Sequence, residues 1–224
     1  MISAVLFDLD GTLADTAPDM ARTVNEMCAR RGLAPVEEST VRPHVSSGAR
    51  GMLMAAFAVK PGDSQYLAMR EEFLQIYEEN LCVDSRLFPG MPELLEWLEG
   101  DGISWGVVTN KYERLAKPLI ACFGLAGRAG VVVGGDTCER AKPFPDPLLH
   151  AVDVLGVAPE RTLYVGDDER DVQAARAAGM PVLVAGYGYL GAGPSPVLWG
   201  ADGIIDAPDG VKAWIREQAA GRAA

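Results

Sequence analysis

The sequence predicts an α/β protein: a doubly wound, mostly parallel, Rossmann-like sheet that carries an inserted helical cap domain. Short apolar runs bounded by turn residues recur along the chain, which is typical of buried parallel strands. Segments with apolar residues at helical spacing lie between these runs. Such alternation favours right-handed crossovers around one sheet. One long stretch, residues 16–101, interrupts the alternation and has no convincing strand pattern.

The alternation gives the elements of the core in order. Predicted strands cover residues 2–7, 103–108, 131–133, 162–165 and 182–185, with a weaker one at 203–205. Predicted helices cover residues 93–99, 112–123, 147–155 and 169–178. Gly156 and Gly179 follow the last two helices as stop signals. Pro118 is expected to kink the second helix or to lie in its first turn.

Within the interrupting stretch, apolar residues repeat at helical spacing from Met20 to Cys28 and again from Tyr66 to Leu81. We therefore predict that residues 16–84 form the inserted helical cap domain. Residues 1–15 and 85–224 would then form the α/β catalytic core. Residues 35–40 and 60–64 are expected to be loops of the cap.

The amino-acid composition limits the kinds of molecule that the protein is expected to bind. The 224 residues are 49% hydrophobic and carry a net charge of −11, with a pI near 4.6. An acidic chain without a Lys/Arg cluster is a poor candidate for nucleic-acid binding. No apolar run approaches the roughly 18 residues that a membrane span needs, and the start lacks the basic residues of a signal peptide. We expect a cytoplasmic monomer or homodimer whose partner is a small molecule.

The cysteines give little evidence of a metal or redox site. Cys28, Cys82, Cys122 and Cys138 include no Cys-x-x-Cys pair, and only two histidines accompany them. This pattern argues against a zinc site. Sparse cysteines in a chain of this size also make a disulfide framework improbable, so we expect reduced thiols.

The strongest chemical signal is the segment Phe7–Thr12, where an apolar strand ends in Asp8 and Asp10. Open α/β sheets bind ligands at the carboxyl ends of their strands, and Gly11 lets the backbone turn sharply there. One carboxylate can attack phosphorus while the other donates a proton to the leaving oxygen. The alternative is an Asp-rich turn that caps a helix. The buried strand before the pair and Gly-Thr after it favour the chemical interpretation.

Two carboxylates that face a phosphate need a cation, and Mg²⁺ with carboxylate, water and phosphate ligands is the natural one. Further carboxylates should therefore end another strand, and they do so in the run Gly166–Asp171. Asp167 follows its predicted strand directly. The alternative to metal binding is that this acidic cluster caps the next helix. For Asp168 and Glu169 taken alone, capping is the favoured interpretation.

Donors for the phosphoryl oxygens follow the strand at 103–108. Thr109 and Asn110 offer a hydroxyl and an amide there, beside backbone N–H groups. Lys142, which precedes Pro143, offers a positive charge in a loop between strands. Alone it would be read as a surface lysine. Beside two acidic strand ends it is the expected neutralising cation.

Taken together and in this order, these motifs resemble the haloacid dehalogenase superfamily of phosphatases over the whole chain. The resemblance implies that Asp8 is the nucleophile and a Mg²⁺ ligand. It implies that Asp10 is the general acid and base and binds the metal through its carbonyl. Asp167 would complete the metal site. Dehalogenases lack the second aspartate, so Asp10 favours phosphate esters over halogenated substrates and also argues against a catalytically inactive descendant.

The same resemblance assigns the remaining residues. Thr109 and Asn110 would bind the phosphoryl group, together with Gly11 and Thr12 beside the nucleophile. Lys142 would neutralise the nucleophile and the phosphate, and Asp171 would orient Lys142 or metal-bound waters. Relatives often have Ser or Asn in place of Asp168, so contact between Asp168 and the metal stays open.

The cap is expected to exclude water and to select the substrate. Its loop Ser46–Gly51 is the best candidate for a substrate-facing turn, where Arg50 could clamp a carboxylate or hydroxyl. An exposed arginine that begins a helix is an equal alternative. The expected reaction is hydrolysis of a phosphate monoester. A phosphosugar mutase resembling β-phosphoglucomutase and a non-catalytic interaction protein are the alternatives.

Two resemblances bear on the substrate. The segments 7–18, 108–111 and 146–149 resemble phosphoglycolate phosphatases. The segments 47–50, 166–171 and 199–202 resemble the N-acetylmuramic acid 6-phosphate phosphatases. Both substrates stay open. The segment Gly186–Gly191 also fits a dinucleotide-binding pattern, but a loop follows it instead of a helix, so we interpret it as a flexible connection near the active site.

Overall fold

A parallel six-stranded sheet forms the centre of this computed structural model, which describes residues 1–191 and 193–221. The strands of the chain are β1 (Ala4–Phe7), β2 (Ala14–Asp15), β3 (Arg86–Leu87), β4 (Ser104–Val108), β5 (Val132–Val133), β6 (Thr162–Gly166), β7 (Val182–Ala185) and β8 (Gly203–Ile205). The large sheet has the order β5-β4-β1-β6-β7-β8, and every neighbouring pair is parallel. The predicted fold class is confirmed.

The α-helices pack on both faces of this sheet or lie in the inserted segment. They are α1 (Ala17–Arg30), α2 (Glu38–Val41), α3 (Gly48–Phe57), α4 (Tyr66–Glu79), α5 (Met91–Gly100), α6 (Glu113–Cys122), α7 (Asp146–Leu155), α8 (Glu169–Ala177) and α9 (Asp209–Gly221). Apolar residues of α5, α6 and α9 share a buried cluster with one face of the sheet, and those of α7 and α8 share another with the opposite face. Helices on both faces explain why the strands are apolar throughout.

Helices α1 to α4 fall within residues 16–84, called the cap segment below. Their apolar faces build a third buried cluster, which contains Met27, Phe73 and Ile76. Two core residues, Leu115 and Tyr189, also belong to it. The cap segment therefore has an apolar centre of its own that touches the core at a few positions. The division into two domains stays a prediction.

Two local expectations are corrected by the structure. The stretch predicted to lack strands contains β3, which pairs antiparallel with β2 where the chain enters and leaves the cap segment. A two-residue strand is too short to produce a periodic pattern. Helix α2 begins inside the predicted loop 35–40. Of the two alternatives for Pro118, a place in the first turn is excluded, because Pro118 lies in the interior of α6.

The expectation of reduced thiols is wrong for two of the four cysteines. A disulfide joins Cys82, after the end of α4, to Cys122 at the end of α6, with a Cα–Cα distance of 6.6 Å. The two residues are 40 positions apart, so only folding of the cap segment against α6 brings them together. Cys28 and Cys138 are free thiols.

Asp19, a fully buried residue of α1, holds the segment through which the chain returns from the cap segment to the core. Its carboxylate accepts hydrogen bonds from the backbone N–H groups of Val83, Asp84 and Ser85, at 2.8–3.1 Å, and from the Ser85 hydroxyl at 2.6 Å. Arg22 pairs with it at 2.5 Å. One carboxylate thus fixes the returning chain against the helix that begins the insertion.

Candidate active site

The candidate site lies at the carboxyl edge of the sheet, where three adjacent strands end. Phe7 of β1 is in register with Val107 of β4 on one side and Val165 of β6 on the other. The residues that follow these positions therefore emerge at nearly the same level. The chain runs outward from β1 in both directions along the sheet, which is the arrangement that leaves a ligand crevice at the central strand.

Asp8 is placed at this edge directly after β1 and is nearly buried. Its Oδ1 accepts the backbone N–H of Leu9 at 2.7 Å and lies 3.0 Å from the ammonium of Lys142. Burial raises the pKa of Asp8 to about 7, while the Lys142 charge opposes that rise. A nucleophile must be ionised, so this carboxylate needs additional positive charge beside it.

Asp8, Asp167 and Asp171 form a buried acidic cluster whose carboxylate oxygens lie within 4.8 Å of one another. Burial raises the pKa of Asp167 well above its usual value, and the charges of Asp8 and Asp171 add to that effect. A divalent cation would relieve the repulsion, and three carboxylates are the hard oxygen donors that Mg²⁺ prefers. The donor set therefore fits the expected metal.

Gly11 and Thr12, which we expected to contact phosphate, have other partners. The Gly11 N–H donates to the carbonyl of Ala14, and a Cβ at Gly11 would come within 2.2 Å of an Asp167 oxygen. The Thr12 hydroxyl donates to Asp167 at 3.0 Å, and Thr12 is fully buried. Thr12 therefore supports the Asp167 carboxylate and Gly11 leaves room for it, while contact of either residue with phosphate stays a prediction.

Asp10 faces the same cavity and is held by two donors on one oxygen. Its Oδ1 accepts the Thr16 hydroxyl at 2.5 Å and the Lys111 ammonium at 2.8 Å. Lys111 is buried beside the ring of Tyr77 from α4, 4.7 Å from its centroid. The sequence reasoning missed both donors of Asp10. Lys111 could have been predicted from its position, because it directly follows Thr109 and Asn110 at the end of β4.

Lys142 connects the carboxylates of β1 and α8. Besides Asp8, its ammonium lies 2.7 Å from Asp171 and donates to the Tyr164 hydroxyl at 2.9 Å. Burial disfavours the charged amine, but Asp171 and Asp8 outweigh burial and raise the pKa of Lys142. Lys142 is therefore a permanent cation between the two carboxylates.

Thr109 and Asn110 follow β4, but they do different things. Thr109 is buried and lines the cavity. The Asn110 side chain instead exchanges two hydrogen bonds with the backbone of Lys142, at 2.9 and 3.0 Å. Its amide is thus used to hold the lysine loop. If Asn110 binds phosphate, its backbone N–H and the second hydrogen of its side-chain amide are the remaining donors.

Asp168 serves as the N-cap of α8 and as the partner of Arg170. Its carboxylate accepts the backbone N–H of Arg170 at 2.9 Å and lies 2.7 Å from the Arg170 guanidinium. Arg170 also donates to the backbone carbonyl of Ser46 in the cap segment at 2.6 Å. The extra carboxylate is therefore occupied by a contact between the core and the cap segment, outside the acidic cluster.

The segment Gly186–Gly191 packs beside the site as a well-anchored loop. The Tyr189 N–H donates to Asp167 at 2.9 Å, and the Tyr189 hydroxyl accepts the backbone N–H groups of Thr16 and Ala17. Gly188 approaches so closely that a Cβ there would meet the carbonyl of Gly11 at 2.3 Å. No helix begins in this segment. Its glycines permit close packing against the Asp167 carboxylate.

A cavity of about 300 Å³ opens between the strand ends and the cap segment. Asp8, Asp10, Thr109 and Lys142 line its core side, and the loop with Arg50 lines the opposite side together with α4. Arg50 lies in the first turn of α3. The structure thus brings the predicted catalytic residues and the predicted substrate-facing loop to one cavity.

Comparison with known proteins identifies the group to which this arrangement belongs. Residues 5–185 match the family model of the haloacid dehalogenase-like hydrolases. The chain belongs to this family. The resemblance inferred from the motifs is confirmed.

Similar proteins carry phosphatase names. An N-acetylmuramic acid 6-phosphate phosphatase of Pseudomonas aeruginosa is 46% identical over 207 residues, which cover 92% of each chain. A phosphoglycolate phosphatase of Xanthomonas campestris is 48% identical over 205 residues, again covering 92% of each. The crystal structure of a predicted phosphoglycolate phosphatase from Haemophilus somnus superposes with a TM-score of 0.82 at 30% identity, covering 95% of this chain and 97% of that one.

These relatives confirm the enzyme class: the chain is a phosphatase that acts on small phosphate esters. The mutase and the non-catalytic interaction protein are correspondingly disfavoured. Among the described residues, no helix is long and apolar enough to cross a membrane.

Proposed function

We propose that the protein hydrolyses phosphate monoesters through an aspartyl-phosphate formed on Asp8. The observation that carries the proposal is the convergence of Asp8, Asp10 and Lys142 on one cavity, with Lys142 3.0 Å from Asp8. Mg²⁺ held by Asp8, Asp167 and the Asp10 carbonyl, with Asp171 close by, would neutralise the carboxylates and the phosphoryl oxygens. Thr109 and Lys142 would bind those oxygens on the other side.

In the first half of the reaction, a carboxylate oxygen of Asp8 attacks phosphorus in line, and the bond to the substrate oxygen breaks. Asp10 gives its proton to the departing alkoxide, which leaves as an alcohol. In the second half, Asp10 takes a proton from a water molecule that attacks the same phosphorus. The Asp8 carboxylate is then the leaving group, and inorganic phosphate is released.

The size of the cavity favours a substrate with a sugar-sized body. Tyr66, Phe73 and Leu74 of the cap segment, together with Leu115 of the core, give the cavity an apolar and aromatic wall. A two-carbon glycolate offers nothing to pack against such a wall, whereas a pyranose ring does. We therefore propose an amino-sugar phosphate, such as N-acetylmuramic acid 6-phosphate, as the substrate. 2-Phosphoglycolate is the second candidate, because a relative of comparable identity carries that name.

A phosphate-release assay on both esters, with Mg²⁺, tests the proposal. We expect release from the amino-sugar ester with the higher kcat/KM, loss of release in EDTA, and recovery when Mg²⁺ is restored. Asp8→Asn should release no phosphate from either ester. Faster release from 2-phosphoglycolate would assign the second candidate, and undiminished turnover by Asp8→Asn would refute the nucleophile.

A further inference from the structure

The charged side chains around the cavity are unequally partnered. Three cations on the core side each have a carboxylate within 3.0 Å: Lys111 pairs with Asp10, Lys142 with Asp8 and Asp171, and Arg170 with Asp168. Two further cations, Arg50 and Arg70, line the cavity from the cap segment. Within residues 1–191 and 193–221, neither of them forms an ion pair.

Arg70 is held in place without being neutralised. Its guanidinium donates to the Tyr112 hydroxyl and lies over the Tyr112 ring, 5.5 Å from the centroid. Contacts of this kind reduce the freedom of a guanidinium while leaving its charge available. Arg70 is thus oriented toward the cavity by a core residue that follows the phosphate-binding strand end.

Arg50 occupies a position where a cation is intrinsically unfavourable. It lies in the first turn of α3, at the positive end of the helix dipole, and that turn contains no acidic residue. An anion bound at this point would interact favourably with both the guanidinium and the helix end. Helix α3 supplies no such anion in its first turn, so a bound ligand could provide it.

We propose that Arg50 and Arg70 form a subsite for a carboxylate of the phosphate ester, separate from the phosphoryl site at Asp8. This inference rests on the proposed phosphatase function and specifies its substrate class. The phosphoryl group is met by core residues, so the unpaired charge of the cap segment is left for a second anionic group. Glycolate and muramic acid, the acids in the names of the two relatives, both contain such a carboxylate.

Matched pairs of esters test the subsite. One pair is N-acetylmuramic acid 6-phosphate and the same amino-sugar phosphate without its lactyl group; the other is 2-phosphoglycolate and its amide. We expect the wild-type protein to prefer the carboxylate member by about 10- to 100-fold in kcat/KM, which corresponds to a charged hydrogen bond. Arg50→Gln and Arg70→Gln should each reduce that preference about tenfold or more.

Arg114→Gln is the matched control, because Arg114 is exposed, pairs with Glu78 and lies outside the cavity. It should retain the wild-type preference. The subsite would be refuted if both variants kept the preference, if both members of a pair lost activity equally, or if a sugar bisphosphate were the better substrate. Failure of the wild-type protein to release phosphate from any of the esters would instead refute the proposed function itself.

Discussion

The core and the cap segment differ in whether the cations that line the cavity are paired with carboxylates. On the core side of the cavity, Lys111 and Lys142 lie within 3.0 Å of carboxylates that they hold in place. On the cap side, Arg50 and Arg70 have no acidic partner among the described residues. Under the proposed function, the core would bind the phosphoryl group, which all substrates share, and the charges of the cap segment would bind the part of the substrate that varies. Substitutions in the two regions should therefore have different kinetic signatures.

The largest expected effect comes from the core lysine between Asp8 and Asp171. Lys142→Met should lower kcat/KM by about 10²- to 10³-fold on every ester, because a buried cation beside the phosphoryl site is lost. Steady-state kinetics on several esters would measure this loss. Lys117→Met, which removes an exposed lysine of α6, is the control. A loss confined to one ester would contradict a general role in the core.

A smaller effect that depends on the leaving group is expected at Lys111. If Lys111 positions Asp10 to protonate the departing alkoxide, Lys111→Met should slow the hydrolysis of alkyl esters by about 10- to 100-fold. Aryl esters, whose leaving groups need little proton donation, should be slowed much less. Measuring kcat for an alkyl and an aryl phosphate tests this difference, and Lys111→Arg should recover part of the alkyl rate. Equal losses on both esters would indicate a different role.

Much of this core could be predicted from sequence because its chemistry coincides with strand ends. A buried strand fixes its last residue at the sheet edge, so Asp8, Thr109 and Asp167 could be assigned from the apolar runs that precede them. The supporting contacts could not. Tyr189 reaches Asp167 from a segment whose glycine pattern suggested only a flexible connection.

The cap segment was less predictable for a physical reason. Helical spacing shows which faces are buried, but not how a set of helices is oriented above a cavity. The contact of the Arg70 guanidinium with Tyr112, and the absence of a carboxylate beside it among the described residues, depend on that orientation. The disulfide between Cys82 and Cys122 depends on it as well, which is why cysteine spacing gave no indication of it.

At the junction of the two regions, the expected effect is on stability. Asp19→Ala should lower the free energy of unfolding by about 2–4 kcal/mol, because buried donors of residues 83–85 lose their acceptor. Denaturant unfolding measures this loss, and Asp153→Ala on an exposed site of α7 is the control. A loss no larger than that of the control would show that the linker is held by other contacts.

The same residue gives a pH dependence of defined sign. Burial alone would raise the pKa of Asp19, but hydrogen bonds from Ser85, Arg22 and the linker N–H groups leave that pKa below its usual value. A pKa that is lower in the folded state than in the unfolded state stabilises the protein at pH values above the unfolded-state pKa. That stabilisation is lost as the pH falls through the folded-state pKa. The difference between the wild-type protein and Asp19→Ala should therefore shrink in acid. A difference that grew in acid would contradict this assignment.

The smallest expected effect on rate is at the disulfide, which lies outside the cavity. Thiol titration of unfolded, unreduced protein should detect Cys28 and Cys138 only, and reduction should expose Cys82 and Cys122 as well. Cys122→Ser should leave kcat unchanged. Four titratable thiols before reduction would show that the bridge is absent.

The covalent state of Asp8 during turnover tests directly whether this residue is the nucleophile. Acid-quenched reaction mixtures can be digested and the peptide that contains Asp8 examined by mass spectrometry. We predict one added phosphoryl group on Asp8 in the wild-type protein, a larger phosphorylated fraction in Asp10→Asn with an activated aryl ester, and none in Asp8→Asn. Turnover with no phosphoryl group on Asp8, or with one on a different residue, would show that Asp8 is not the nucleophile.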